Sequence, residues 1–237
     1  MQTTIILVHG AFAESSSWRG VTARLTPDHR VIAYANPLRG IASDAAGLSE
    51  LVRSIDGPVV LVGHSYGGTV ITALSPDVGS IVGLVYVAAF APDHGENALG
   101  LTGKFPGSTL GETVRSYPLG DGTNDLVVDR DLFPGQFAAD VPAADAAVQA
   151  RTQRPIRDYA LGEAQPAETP AWKTLPSWFV FGDADKNIPV EGLRFMAERA
   201  GAVSIKEIPG ASHSVMVSQP AAVTELITEA VDYLSKQ

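Results

Sequence analysis

The chain of 237 residues carries 17 basic and 26 acidic side chains, a formal net charge of −9, a hydrophobic share of 45% and no cysteine. That acidic balance argues against a nucleic-acid or membrane partner, and the lack of cysteine excludes disulfides, thiolate metal sites and a cysteine nucleophile. The length predicts one domain over residues 1–237, long enough to bury a substantial core.

Residues 3–8, with the apolar run Ile5-Ile6-Leu7-Val8, read as a strand of the kind buried on both faces of a parallel sheet, ending in His9-Gly10-Ala11-Phe12. Nothing basic precedes this run and no stretch reaches transmembrane length, so a soluble, cytoplasmic protein is expected. Ser15 to Ser17 offer N-cap oxygens for a helix with Trp18, Val21 and Leu25 on one side. Residues 30–35 read as a second strand, closed by Asn36-Pro37. Ser43 can cap a helix through Leu48, Leu51, Val52 and Ile55, which Asp56-Gly57-Pro58 stops.

Residues 59–62 are again wholly apolar and run into Gly63-His64-Ser65-Tyr66-Gly67, followed by a helix-compatible segment. A serine flanked at two residues by glycine, between a buried strand and a helix, is the context of a nucleophile elbow. The flanking residues must be small because a Cβ there would meet the neighbouring backbone, and the helix start favours developing negative charge. Residues 81–89 read as a further buried strand.

From about residue 92 to 170 glycine, proline and polar residues become frequent, with only short helical pieces such as 143–151. An irregular insertion of that length in a compact domain predicts a lid. Residues 177–181 restore the buried-strand pattern; 193–200 read as helix, 203–208 as strand and 223–234 as an amphipathic helix. Strands alternating with helices predict an α/β fold, with a mainly parallel central sheet and helices on both faces.

Ser65 needs a base and an acid, which in this kind of fold follow it in chain order as acid, then histidine. Only His94 and His213 lie downstream. His213 follows the last strand in Pro209-Gly210-Ala211-Ser212-His213, at the sheet edge where ligands of open α/β sheets bind, whereas His94 opens the insertion and reads as a lid or surface residue. Phe181-Gly182-Asp183-Ala184-Asp185-Lys186-Asn187-Ile188-Pro189 offers two acids: one to orient the histidine, the other to brace the loop. The same run begins like a calcium loop, but Ile188 stands where the invariant glycine belongs and Arg194 where the bidentate glutamate belongs, so calcium is rejected. Oxyanion donors are expected from the backbone N–H of Tyr66 and from that of Ala11 or Phe12; His9 reads as a structural hydrogen-bonding residue.

Leu7-Val-His-Gly-Ala11, Val59-Val-Leu-Val-Gly-His-Ser65, Val87-Ala-Ala-Phe-Ala-Pro-Asp93, Asp185-Lys-Asn-Ile-Pro189 and Gly210-Ala-Ser-His213 together resemble the α/β-hydrolase fold superfamily. Within it, the chain resembles the branch of small esterases and hydroxynitrile lyases that includes plant methylesterases. The resemblance implies catalytic roles for Ser65, Asp185 and His213, with Asp185 chosen over Asp183 as the aspartate four residues before the proline. It implies oxyanion roles for the backbone of Ala11 and Tyr66. Lyases of this branch are expected to carry threonine in place of Gly10 and lysine in place of Ser214, so hydrolysis is favoured here.

The expected activity is therefore hydrolysis of a small carboxylic ester through an acyl-enzyme, with no cofactor and no metal. The same triad on a lactone, amide, carbon–carbon bond or peracid is the alternative, and a non-catalytic small-molecule-binding protein of the same fold a further one. Phe12, Trp18, Phe90, Phe105, Phe133, Phe137 and Trp172 are candidates to line an apolar pocket beneath the lid. The partner expected is a small-molecule ester, and the protein a monomer or homodimer.

Overall fold

The structure, a computed structural model, is described for residues 2–236. In chain order it runs through β1 (Thr4–Val8), a 3-10 turn at Ser15–Trp18, α1 (Arg19–Leu25), β2 (Arg30–Tyr34), α2 (Ile41–Arg53), β3 (Val59–His64), α3 (Tyr66–Thr72) and β4 (Ile81–Val87). A long excursion follows: α4 (Ala98–Gly103), α5 (Leu110–Thr113), β5 (Val114–Pro118), β6 (Asn124–Val128), α6 (Phe133–Phe137), α7 (Ala143–Thr152) and β7 (Ile156–Arg157). The chain then completes β8 (Ser177–Gly182), α8 (Val190–Arg199), β9 (Ser204–Ile208), α9 (Val215–Ser218) and α10 (Pro220–Leu234).

Six parallel strands form the main sheet in the order β2-β1-β3-β4-β8-β9. β1, β3 and β8 are buried along their whole length, as their unbroken apolar sequences require, whereas edge strand β9 alternates between half-buried and exposed residues. Right-handed crossovers place α1, which steps from β1 to β2, on one face, and α2, α3 and α8, which step the other way, on the opposite face. α10 packs against α1 and across β4 and β8, completing the first face. The direction of winding reverses between β1 and β3, and their carboxyl ends flank the crevice where such sheets bind ligands.

Three local expectations are corrected. The first helical turn is capped by Glu14, whose Oε1 accepts from Ser15 N (2.8 Å), while Ser17 is engaged with the Glu14 carbonyl (2.6 Å). α2 begins before Ser43, after Gly40 at φ 134°, and its free Ile41 N–H is taken by Glu163 Oε2 at 2.6 Å. A distant carboxylate thus does the work of a local cap. The largest correction is to residues 92–170, which are not irregular: they carry a three-stranded antiparallel sheet, β5-β6-β7. Among the described residues no helix is long and apolar enough to cross a membrane.

Candidate active site

The turn between β3 and α3 puts Ser65 at φ 52° and ψ −123°, a conformation that side-chain-bearing residues rarely adopt. A Cβ on Gly63 would stand 2.7 Å from Gly67 O and Gly68 N, and one on Gly67 would run into the Val8 carbonyl oxygen. The turn is fastened from inside, since the Ser65 carbonyl accepts from Gly68 N (2.9 Å) and Phe90 N (3.2 Å). Among the described residues, four non-glycine residues have positive φ, namely Phe12, Leu38, Ser65 and Ala88, and each follows the carboxyl end of one of the first four strands. The strain is collected on one edge of the sheet.

Tyr66, next to Ser65, is fully buried and donates its hydroxyl to Asp44 Oδ2 (3.0 Å). Burial pushes the Asp44 carboxyl above its ordinary range although Arg39 N–H and Tyr66 both donate to it; burial and the adjoining carboxylate push the Tyr66 phenol well up. The pair anchors the start of α3 to α2, so the Tyr66 amide beside the serine is held in place.

The loop after β1 is fixed by His9. Asn36 N donates to His9 Nε2 (3.0 Å), so Nδ1 carries the proton and donates to Gly10 O (3.0 Å). Burial lowers the His9 pKa to about 4, keeping the ring neutral for this double role. Gly10 presses on the elbow, where a Cβ would lie 2.6 Å from Ser65 Cβ and from His64 O. His9 is thus the structural hydrogen-bonding residue expected.

His213 Nδ1 and Asp185 Oδ2 are 2.6 Å apart in a fully buried pair. The other carboxylate oxygen, Oδ1, accepts from Asn187 N (2.7 Å) and Ile188 N (3.0 Å), so Asp185 has little freedom to turn. Asp183 braces the turn before the histidine by accepting from Gly210 N at 2.6 Å. One contact was not legible beforehand: His64 Nε2 donates to the His213 carbonyl (3.0 Å), with ring centroids 4.8 Å apart. Burial, then the neighbouring His213, hold the His64 pKa far below the usual range.

Ser65 and His213 line one cavity of about 360 Å³, together with Ala11 and Phe12. Phe90 and Phe137 also line it; Trp18, Phe105, Phe133 and Trp172 do not, and the expected pocket is corrected accordingly. Trp18 is core, edge-on to the His64 ring (6.3 Å). Phe133 stacks behind Phe137 (4.8 Å), and Phe105 lies against Phe195 (5.6 Å). Trp172 donates its indole N–H to Pro92 O (3.0 Å), tying together the two ends of the excursion. His94 is exposed on the surface. Much of the cavity wall comes instead from residues 92–170, through side chains such as Leu99, Leu110, Val114, Leu126 and Leu161. Thr102, Ser108, Ser116 and Asn187 add polar groups, and no described lining residue is charged.

Residues 5–226 match the sequence profile described as the alpha/beta hydrolase family. A carbendazim hydrolyzing esterase from Nocardioides sp. (strain SG-4G) is 34% identical over 113 residues, spanning 42% of this chain and 47% of that one. An alpha-hydroxynitrile lyase from Arabidopsis thaliana is 25% identical over 252 residues, 97% of each chain. Among solved structures, polyneuridine aldehyde esterase superposes with a TM-score of 0.80 at 22% identity, covering 97% of this chain and 99% of that one. With the profile covering nearly its whole length and the six-stranded parallel sheet in place, this chain belongs to the alpha/beta hydrolase family.

Proposed function

We propose that the protein is a serine carboxylesterase acting on a small, neutral, largely apolar ester. The observation that carries this reading is the sharing of one uncharged cavity by Ser65, on its strained turn, and His213, whose far nitrogen is engaged by Asp185. The relatives named as esterases support an ester as substrate.

In the proposed mechanism His213 Nδ1–H donates to Asp185, which leaves Nε2 as the base that takes the Ser65 proton. Ser65 Oγ then attacks the ester carbonyl, and the oxyanion is held by the backbone N–H groups of Ala11 and Tyr66, each typically worth about 2.7–4 kcal/mol. His213 passes its proton to the departing alcohol. It next activates a water that releases the acid from the acyl-enzyme. The Asp185 carboxylate, hydrogen-bonded to Nδ1, stabilises the imidazolium. Residues 92–170 act as the lid of a single domain and shape the cavity for the acyl and alcohol groups. No cofactor or metal enters the scheme.

Lyase chemistry is disfavoured by two positions. A threonine at Gly10 would collide with Ser65, and Ser214, beside the base, hydrogen-bonds the neutral Gln149 (3.2 Å) instead of supplying a cation for leaving cyanide. The test is hydrolysis of p-nitrophenyl acetate and butyrate by wild type, Ser65→Ala and His213→Ala. Turnover by wild type and its loss in both variants is the expected result; undiminished turnover in either variant contradicts the assignment.

A further inference from the structure

The excursion over residues 92–170 also reaches the two loops that carry the acid and the base. Gln136, buried in α6, donates through Nε2 to the Lys186 carbonyl (2.9 Å) and to Asn187 Oδ1 (2.8 Å). Its Oε1 accepts from Thr109 Oγ1 (2.9 Å), and Thr109 N also donates to the Lys186 carbonyl (3.0 Å). Lys186 Nζ returns a bond to the Gly135 carbonyl (2.9 Å). Residues 186 and 187 are thus gripped directly after Asp185, whose carboxylate is itself held by the Asn187 and Ile188 amides.

The base loop is gripped by the same stretch. The Phe137 carbonyl accepts from Ser214 N (3.0 Å) and Ser212 Oγ (3.3 Å), and Asp140 Oδ1 accepts from Ser212 N (3.1 Å). The Phe137 ring stands edge-on to the His213 ring at 4.7 Å. Both neighbours of His213 are therefore tied to residues 137 and 140, while His64 holds the His213 carbonyl from the sheet side. Neither Gln136 nor Asp140 is among the described residues that line the cavity. Their bonds serve the loops, and each is worth on the order of 1 kcal/mol.

We infer that residues 136–140 form a clamp that assembles the triad, with Gln136 positioning Asp185 and Asp140 positioning His213. The inference rests on the esterase reading of the same site. Unseating this part of the lid would release both loops together, so acid and base would lose register with Ser65. Such shifts matter, since a misplacement of about 1 Å can cost about 10²-fold in rate.

The test follows p-nitrophenyl butyrate hydrolysis and, by NMR, amide hydrogen exchange in wild type, Gln136→Leu, Asp140→Ala and Asp140→Asn. The last variant keeps an oxygen to accept from Ser212. Gln136→Leu and Asp140→Ala are expected to lower kcat by about tenfold or more with KM little changed, and Asp140→Asn to keep most of the wild-type rate. Exchange is expected to quicken at Asn187 and Ile188 in Gln136→Leu, and at Ser212 and Ser214 in Asp140→Ala, with the β3 and β8 amides unmoved. A merely structural role would quicken exchange across the main sheet and leave kcat per folded molecule where it was; a role in the cavity wall would move KM. Should Gln136→Leu not fold, the two Asp140 variants decide the matter. If wild type hydrolyses no ester, the esterase reading falls, while the exchange rates still decide whether residues 136–140 hold the two loops. Unchanged kcat or unchanged loop exchange in both Gln136→Leu and Asp140→Ala, a loss that Asp140→Asn shares in full, or exchange that quickens through the whole sheet overturns the inference.

Discussion

The carboxyl edge of the main sheet and the segment over residues 92–170 are held by different forces. At the edge, backbone lies on backbone: Gly10 against Ser65, Gly67 against the β1 carbonyl, the Ser65 carbonyl between two amides. The segment above joins the apolar core through residues such as Phe137, Val141 and Ala150, and polar side chains tie it to the elements below. Arg39 joins Asp125 (2.7 Å) and the Pro155 carbonyl (2.8 Å), Arg154 meets Glu14 (3.1 Å), Tyr159 donates to the Arg39 carbonyl (2.8 Å) and Glu163 caps α2. Close backbone approaches tolerate almost no change, whereas part-exposed polar attachments are individually worth about 1 kcal/mol or less. The groups assigned to chemistry lie on the first kind of construction, and much of the cavity wall lies on the second.

That contrast can be broken most severely at Ser65. Ser65→Ala is expected to lower kcat by about 10⁴-fold or more while leaving the fold intact, checked by ester turnover beside circular dichroism. Next comes Asp185→Asn, which preserves the shape but orients His213 in the wrong tautomer. A loss of about 10³–10⁴-fold in kcat is expected, with KM little changed. Gly10→Ala tests the packing alone: the new Cβ must displace the β1 loop or the elbow, and the loss of one well-placed oxyanion donor predicts a fall of about 10²–10³-fold in kcat.

The pH dependence of stability is a smaller effect, read by urea unfolding. His9 is held near a pKa of about 4 by burial, against an ordinary value of 6.5. Below pH 6.5 the unfolded chain takes up the proton and the folded one does not. Stability is therefore full above that pH and is lost as pH falls toward about 4, with a slope near 1.4 kcal/mol per pH unit for each such group. His64 adds in the same direction. His9→Gln should reduce the slope by one proton, whatever it does to stability at neutral pH. The smallest effect is expected at the attachment of the upper segment: Glu163→Gln weakens a charged cap, costing about 0.5–1 kcal/mol and a few degrees of Tm by calorimetry.

The same contrast explains what could be read in advance. The strands of the main sheet announce themselves because burial on both faces demands unbroken apolar runs, as at residues 59–62 and 177–181. Ser65 and Asp185 could be singled out because each sits in a short motif after such a strand, and His213 because it is one of only two histidines downstream of Ser65. The upper sheet was not legible: β5 is largely exposed and β6 only partly buried, so Val114-Arg-Ser-Tyr-Pro118 and Asn124-Asp-Leu-Val-Val128 show no long apolar run. One signal was available in Asp121-Gly122 between them, with Gly122 at φ 83°, a pairing favoured in hairpin turns. The pocket aromatics were misjudged for a related reason. Composition cannot distinguish Phe137, at the cavity, from Phe133 stacked behind it, because the difference is one turn of a short helix. His64 and Asn187 lie inside recognisable motifs, but their partners, the His213 carbonyl and Gln136, are 149 and 51 residues away in sequence.

The most direct test of the central claim is to treat the folded protein with a fluorophosphonate and locate the adduct by peptide mass spectrometry. Stoichiometric modification of Ser65 is expected, abolished in Ser65→Ala and strongly slowed in His213→Ala. An adduct at another residue, or none on wild-type protein shown to be folded, would contradict it.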